Sequence, residues 1–550
     1  MLTIGIYGIR DVNITNNSPN FVHDHSITFM RNGRVISTIT LERYSGIKYD
    51  QRLEKFITNI LNKWVSIDEP VRFVAVNSFI GDSFVSDDGF FRIEPIEKLS
   101  IGKILTPARV LWFRDGKLKN YDGWIMCHEF AHIASALPFG LKFNEQQLLV
   151  HVDGGASSSS CSFWQINENK PHLLHASWND LKDPVNNFNI GLLGKTILGL
   201  STDEHLAMPG KLMGFAAYGQ PNPIWYQHLV NKRFYLGDEW NKKTMIQDLN
   251  QVTGKHVNFN NLKDPLTQTL AACIQKNFED NIFKNICNFK NQINAKYLVY
   301  AGGGALNIPT NVLLEQTFGY GNIFIPPCAN DSGLSFGAAA WIEYINGNEI
   351  YHHEPFVNYF DVPNTPISLD TVYEVAKAIA NEKIVALCIG GSEIGPRALG
   401  HRSILARPDN INLKIKVSEQ IKKREWYRPV APALLPNVAI NALKPEIIHS
   451  KLAQYMLGSY VVEPKWQEKF IGALHVDGTL RAQIVYDTPG NIFLYKILQI
   501  LDTEYNIAGV INTSFNVKGE PIVHYHQQAI DIASNMGIDL VVVHGSLHYT

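Results

Sequence analysis

Long apolar runs are missing from this chain: no uncharged stretch approaches the ~20 apolar residues a membrane-spanning helix needs. The first residues lack a basic segment followed by an apolar one, so no secretory signal is expected. Cysteine is sparse, six in 550 residues at positions 127, 161, 273, 287, 328 and 388, with no close pair and no zinc-ribbon spacing. That excludes a disulfide framework and reads as buried thiols in a reducing compartment, so the expected location is cytoplasmic. An excess of either charge is also missing. Forty-nine lysines and arginines face 51 acids, a formal net charge of -2, which gives no general attraction to nucleic acid or to anionic membrane. Apart from four serines at 157–160 there is no low-complexity tract. What remains is an ordinary globular composition, 45% hydrophobic and 18% charged, on a chain too long for one core. Two or more domains are expected.

The most informative stretch is Cys127-His128-Glu129-Phe130-Ala131-His132. If residues 124–137 are helical, His128 and His132 stand four apart on one face, where two imidazoles can converge on one ion. The apolar run at 148–152 reads as a buried strand that ends at Asp153-Gly154-Gly155. Neutral imidazole plus carboxylate suits a borderline divalent ion such as iron(II), manganese or zinc. Further on, Pro326-Pro327 leads to Asp331-Ser332-Gly333 and a helix lined with Gly337, Ala338, Ala339 and Ala340. A carboxylate in that place is either an N-cap or a fourth metal ligand opposite Asp153.

Residues 2–7 alternate like a strand, and Asn32-Gly33 between two alternating runs signals a hairpin. The pattern returns at 147–177: strand, small-residue turn, hairpin. That is an internal duplication of elements, as expected for two lobes of an actin-like, sugar-kinase-like ATPase. Residues 52–64 are helical in pattern, whereas 65–120 are uninformative. Gly210-Lys211-Leu212-Met213-Gly214 reads as a glycine-flanked turn. The strand at 297–300 runs into Gly302-Gly303-Gly304-Ala305-Leu306-Asn307 and a helix, an order that leaves backbone N–H groups at a helix N-terminus as an anion site. Residues 351–366 read as a linker, with a boundary near 360. A helix at about 368–381 capped by Ser368 and a strand at 384–389 follow.

Beyond that boundary the charge becomes locally basic. Between Arg397 and Arg428 there are nine lysines and arginines against three acids. Several lie among rigid or aromatic neighbours, as in Gly395-Pro396-Arg397 and Trp426-Tyr427-Arg428-Pro429, which suggests preorganised oxyanion clamps rather than a solvated face. Near the end, Asn512-Thr513-Ser514-Phe515-Asn516 leaves an apolar strand for a polar turn that is suited to completing a phosphate site.

Together, His23-Asp24-His25-Ser26, Leu41–Ser45, the His128/His132 pair with Asp153-Gly154, residues 210–219, Gly302–Asn307 and Asp331-Ser332-Gly333, then residues 393–405, 422–434, 475–479 and 512–521, resemble one family. It is the family of two-domain O-carbamoyltransferases that decorate antibiotics and nodulation factors. The resemblance implies an α/β protein. Residues 1–360 would form a two-lobed actin-like (ribonuclease-H-like) domain related to the enzyme that transfers threonylcarbamoyl to transfer RNA. Residues 361–550 would form a smaller α/β domain of the threonylcarbamoyl-adenylate-synthase type. It also implies two steps: carbamoyl adenylate made from Mg-ATP and carbamoyl phosphate, then transfer to a hydroxyl of a small-molecule acceptor, a sugar-containing or secondary metabolite. On this reading His128, His132, Asp153 and Asp331 hold iron(II), with manganese or zinc as the alternatives. Arg397, Lys422, Arg428, Arg481, Ser514 and Asn516 bind carbamoyl phosphate and ATP, and Lys211, Gly303, Gly304 and Asn307 bind the adenylate in the first domain. His23 or Asp24 is the base towards the acceptor. No nucleic-acid or membrane partner is expected, and a homo-oligomer is left open. The family often has histidine where Glu129 stands and asparagine where His401 stands, and the loop 9–22 is long and polar.

Three rivals make different expectations. His128-Glu129-Phe130-Ala131-His132 satisfies the H-E-x-x-H pattern of zinc peptidases, with Glu129 as general base. A non-catalytic actin-like module would bind nucleotide without turnover. A transfer-RNA-modifying enzyme would bind RNA in a salt-sensitive way.

Overall fold

The computed structural model describes residues 1–8, 22–178, 194–195, 197–200, 202–232, 242–256, 258, 261–362 and 367–550. Most of the 9–22 loop therefore lies outside the described residues. Strand Leu2–Tyr7 is buried along its whole length and pairs antiparallel with Ser26–Arg31, which pairs in turn with Arg34–Thr40. The connecting Asn32 and Gly33 both have positive φ (50° and 73°), the twist a two-residue hairpin favours. On its other side Leu2–Tyr7 runs parallel to Val71–Val76.

The same arrangement recurs in a second sheet. Gln147–Val152 pairs antiparallel with Cys161–Asn167, which pairs with Lys170–Ser177, and Gln147–Val152 runs parallel to Tyr297–Ala301. Both hairpins carry a register shift, between Phe29 and Met30 and between Phe163 and Trp164. The duplication read from the sequence is thus present element for element, and it gives the two-lobed actin-like plan.

The stretch 65–120, uninformative in sequence, supplies most of the first sheet's extension. Lys117–Met126 runs parallel to Val71–Val76, and Leu105–Arg114, Phe91–Pro95 and Phe84–Val85 follow as an antiparallel meander. Trp124, Ile125 and Met126 are therefore strand. The helix expected over 124–137 is shorter, His128–Ala134, because those three apolar residues pair with Val74, Ala75 and Val76. A second correction concerns residues 210–214: they lie inside helix Met208–Ala216 rather than in a turn.

Helix Leu334–Ile345 packs against the first sheet and against helix His128–Ala134. Its approach is close enough to need glycine on both sides. A Cβ at Gly5 would stand 2.0 Å from the Ser335 carbonyl oxygen, and one at Gly337 would stand 2.0 Å from that of Ala131. Glu343, fully buried near the far end, accepts hydrogen bonds from Arg72 (2.8 Å), the Gly33 N–H (2.6 Å) and Thr3.

A seven-stranded sheet organises the rest of the chain, in the order Gln483–Ile484, Ala431–Leu434, Val510–Ser514, Arg402–Ala406, Val385–Cys388, Leu540–Val543, Ser546–Tyr549. Helix Leu369–Ala380 begins at Ser368, whose hydroxyl accepts from the Thr371 N–H, and packs on helix Ile492–Tyr505. Of the stretch 351–366 read as a linker, residues 363–366 lie outside the described residues, and part of 351–362 is packed. Phe356, Val357, Asn358 and Phe360 are buried. Asn358 exchanges backbone hydrogen bonds with Ser392, and its side-chain oxygen accepts from Thr40. Their apolar side chains and Asn358's amide tie the first sheet to the third, which low aliphatic content alone did not reveal. All six cysteines are free, five of them buried. Among the described residues no helix is long and apolar enough to cross a membrane.

Candidate active site

Four elements from both lobes end at one point. The seven-residue helix His128–Ala134 follows the last parallel strand of the first lobe and brings His128 and His132 onto one face, with their Nε2 atoms 3.1 Å apart. Asp331 begins a 3-10 turn ahead of helix Leu334–Ile345, and its Oδ1 lies 3.4 Å from His132 Nε2 and 3.7 Å from His128 Nε2. Asp153 directly follows the central strand of the second lobe, and its Oδ2 is 3.7 Å from His132 Nε2. Tyr7, the last residue of the first lobe's central strand, donates to Asp331 Oδ2 at 2.7 Å. The four residues read from the sequence as ligands are therefore brought together.

These separations suit a single ion. Two donor atoms each about 2.0–2.2 Å from one metal stand about 3 to 3.5 Å apart at octahedral or tetrahedral angles. The charges agree: two buried or half-buried aspartates face the imidazoles, and a divalent cation would offset both. The structure also supplies a histidine that sequence reading missed. His151 is fully buried, stacks on His132 with ring centroids 5.3 Å apart, and keeps Nε2 without a partner among the described residues. His132, His151 and Asp153 form a second group with metal-ligand spacing that shares His132 with the first. Burial, together with repulsion from His132 and His128, holds His151 neutral, its pKa well below the ordinary value.

The glycines beside the site position Asp153. Gly302 has φ 93°, and a Cβ there would meet the Val152 carbonyl oxygen at 2.2 Å. That close pass lets the Gly303 N–H donate to Asp153 Oδ2, while the Gly154 N–H donates to Oδ1. Of the residues expected to bind an adenylate in the first domain, Gly303 therefore gives its N–H to Asp153. Asn307 caps helix Ile308–Phe318 and exchanges side-chain hydrogen bonds with Gln275. Gly304 lies buried in the same 3-10 turn. Lys211, 2% exposed, pairs with Glu204 and with Glu425 at 2.8 Å.

His23 and Asp24 lie next to the ligand set. His23 Nδ1 is 3.1 Å from Asp24 Oδ2, which also accepts from Asn330 Nδ2 at 2.7 Å, one residue before Asp331. Burial would lower the His23 pKa, but Asp331, Asp24 and Asp153 outweigh it and push it up to about 9.

Glu129 is turned to other work than the H-E-x-x-H pattern implies. Its Oε1 accepts from the Ser158 N–H (2.8 Å), Ser158 Oγ (3.2 Å) and Ser159 Oγ (3.1 Å). A carboxylate so held by a serine turn is not placed as a peptidase base.

The second cluster lies at the end of the third sheet. Lys422, 3% exposed, donates to the Ser514 carbonyl (2.6 Å), the Asn516 carbonyl (2.5 Å) and Asn516 Oδ1 (2.6 Å). An ammonium has three donors, so Lys422 already uses all of its own on the 514–516 turn. Around it stand Arg397, Arg428 and Arg481 and a fourth arginine, Arg424, whose place in a charge run concealed it. Burial and then repulsion from neighbouring arginines lower Arg397 to about 10, Arg424 to about 9 and Arg481 well below its ordinary value. The Nε atoms of Arg397 and Arg481 have no partner among the described residues. Cations that repel one another with donors unused make a site for anions.

The family models agree with this geometry. Carbamoyltransferase N-terminus matches residues 101–340 and Carbamoyltransferase C-terminus matches residues 376–549. The chain is 26% identical to the nodulation protein NolNO of Sinorhizobium fredii over 95% of its own length and 78% of that protein. It is 33% identical to nodulation protein U of the same organism over 41% and 40%. Identity to the uncharacterized protein MJ1051 of Methanocaldococcus jannaschii is 26%, over 92% of this chain and 94% of the relative. With a two-lobed domain bearing a histidine–aspartate cluster and a second domain bearing a cationic pocket, both recognised by their sequence models, the chain belongs to the carbamoyltransferase family.

Proposed function

We infer that the protein is an O-carbamoyltransferase: residues 361–550 form carbamoyl adenylate from ATP and carbamoyl phosphate, and residues 1–360 transfer the carbamoyl group to a hydroxyl of a small-molecule acceptor. The observation that carries this reading is the presence in one chain of two unlike, incomplete sites. One is a buried pair of imidazoles facing two aspartates, the other a group of four arginines with a single acid, Glu425, 3.6 Å from Arg428. An alcohol attacks a carbamoyl carbon slowly, so the reaction needs a better leaving group and stabilisation of the developing oxyanion.

In the second domain Arg397, Arg424, Arg428 and Arg481 hold phosphate oxygens, with arginine's planar fork matched to them. Lys422, Ser514 and Asn516 fix the turn that shapes the pocket. In the first domain His128, His132, Asp153 and Asp331 would hold a divalent transition ion, for which the donor set favours iron(II), with manganese or zinc as alternatives. Bound there, the ion supplies Lewis-acid polarisation of a carbonyl oxygen. His23 and Asp24, hydrogen-bonded to each other at 3.1 Å beside these residues, are the candidates for the base towards the acceptor.

The test gives purified protein ATP and carbamoyl phosphate without acceptor. Release of pyrophosphate and an AMP adduct by mass spectrometry is expected, reduced at least tenfold in Arg397→Ala. No pyrophosphate from the wild-type protein would refute the adenylation step.

A further inference from the structure

Helix Met208–Ala216 belongs to the first domain, yet it lies along 425–429, the stretch of the second domain that carries Arg428. Phe215 meets Tyr427 edge-to-face with ring centroids 5.2 Å apart, and Tyr218, just beyond the helix, meets Trp426 in the same way at 4.8 Å. A Cβ at Gly214 would stand 3.5 Å from Pro429 Cδ, so helix and stretch are in van der Waals contact there as well. About one turn earlier on the helix, Lys211 Nζ reaches Glu425 Oε1 at 2.8 Å.

Glu425 is an acid in a place built for cations. Its Oε2 is 3.6 Å from Arg428 Nη1 and has no hydrogen-bond partner among the described residues. A carboxylate at that distance competes with phosphate for the same guanidinium, because arginine's planar fork fits either oxyanion. Its other oxygen is held from the opposite side, by Lys211 and by Lys518 Nζ at 3.2 Å. The two ammoniums are unequal. Lys518 is exposed, so solvent and salt screen its pull. Lys211 is buried, and Glu204 anchors it in turn.

We propose that Lys211 is a positioning residue for the anion site of the other domain: it draws Glu425 away from Arg428 and leaves that guanidinium open to a phosphate group. Without Lys211, Glu425 turns towards Arg428 and becomes the pocket's own counter-ion. The first domain thereby sets the affinity of the second for its phosphate compound. The inference rests on reading the four arginines as a phosphate site. It replaces the expectation that Lys211 itself binds an adenylate in the first domain.

The experiment titrates ATP, without carbamoyl phosphate, into the full-length protein by calorimetry. The part of the binding that Arg397→Ala removes marks the arginine site. Lys211→Met should weaken that part about tenfold or more, the effect of losing one charge-assisted contact. Glu425→Gln should bind at least as tightly as wild type. The double variant Lys211→Met/Glu425→Gln should match Glu425→Gln within about threefold, because no carboxylate is left to hold away. A merely structural role for Lys211 would leave the double variant as weak as Lys211→Met. A role as adenylate ligand would leave ATP at the arginine site untouched by Lys211→Met. Either result overturns the proposal. Thermal melting establishes that the variants fold, and if Lys211→Met does not, the double variant against Glu425→Gln decides: equal binding supports the proposal and a tenfold loss refutes it. Wild-type protein without binding that Arg397→Ala removes would refute the phosphate site and the inference together. Wild-type binding that Lys211→Met leaves unchanged refutes the inference alone.

Discussion

Replacing Lys422 by methionine separates a lysine that binds phosphate from one that builds the wall around it. The methionine keeps the length of the apolar stem and removes the ammonium. Of the three acceptors that Lys422 serves, Asn516 Oδ1 keeps Ser514 Oγ at 2.7 Å and the Ser514 carbonyl keeps the Asn516 N–H at 3.1 Å. The Asn516 carbonyl is left without either. One orphaned, half-buried acceptor costs at most about 1–3 kcal/mol. In a unit of about 190 residues that lowers the melting temperature by roughly 3–10 °C. Arg424→Met tests the arginines themselves. Burial and the nearby Arg428 and Arg397 already disfavour its charge, holding its pKa at about 9. A folded-state pKa below the unfolded one means that the cation is less favourable in the folded protein, so removing it raises stability in the absence of ligand. It should also weaken ATP or carbamoyl phosphate binding by about 10-fold or more, as expected for losing one charge-assisted bond. Calorimetry without ligand and titration with each phosphate compound read both effects. A Lys422→Met protein that melts like wild type yet has lost anion binding would make Lys422 itself the phosphate ligand. An Arg424→Met protein that melts lower would show that the arginines do not repel one another as described.

Gly337→Ala should destabilise the protein by about 1–3 kcal/mol through overpacking, since its Cβ would meet Ala131 O at 2.0 Å and Ser135 N at 2.7 Å. Because the displaced helix carries both imidazoles, metal content by plasma mass spectrometry should fall with it, and unchanged metal content would refute the coupling. His132→Ala removes the imidazole common to both ligand groups and should abolish stoichiometric metal binding, whereas Glu129→Gln should not. Burial pushes Glu425 up, but Lys211 and Arg428 outweigh it and hold its pKa at about 2 against an ordinary 4.5. Its contribution to stability is therefore complete above pH 4.5 and lost as the pH falls towards 2. Denaturant titrations across that window should show a smaller acid loss in Glu425→Gln than in wild type, and equal losses would remove Lys211–Glu425 as a link between the domains.

What the sequence made legible, and what it did not, follows from the range of the interactions involved. His128 and His132 were visible because a helix puts i and i+4 side by side, and Asp153 because a strand ended in front of two glycines. His151 is two residues before Asp153, on the same face of an extended chain. That alternation was available, but a histidine inside an apolar strand reads as core. Tyr7 could not be assigned, because its partner Asp331 is 324 residues away. Arg424 was submerged in a charge run whose folding separates paired arginines, such as Arg407 with Asp409, from unpaired ones. The helix at 124–137 was overextended because Trp124, Ile125 and Met126 satisfy either period, and only pairing with Val74, Ala75 and Val76 decides for strand. The glycines at 302–304 were read as an anion site from their order. In the folded chain Gly302 passes the Val152 carbonyl and Gly303 holds Asp153, a tertiary contact no local pattern reports.

The duplication lets both lobes reach the site from the ends of their central strands, Leu2–Tyr7 and Gln147–Val152, with different groups: Tyr7 is the last residue of its strand, whereas Asp153 lies one residue beyond its own. The second lobe places Asp153 there, beside the imidazoles. The first places Tyr7, which stays protonated because burial and the adjacent Asp331 raise its pKa, and so holds Asp331 by donation. Had the first lobe also brought a carboxylate, three acids would have faced two imidazoles, and a divalent ion would have left one charge unbalanced. With a hydroxyl there instead, the two aspartates match the charge of one divalent cation. Because His128 and His132 follow the first sheet while Asp153 and Asp331 follow the second, such an ion would also bridge the lobes. Helix Leu334–Ile345, in close backbone contact at Gly5 and Gly337, joins the Asp331 turn to the first sheet and to the helix that carries both imidazoles.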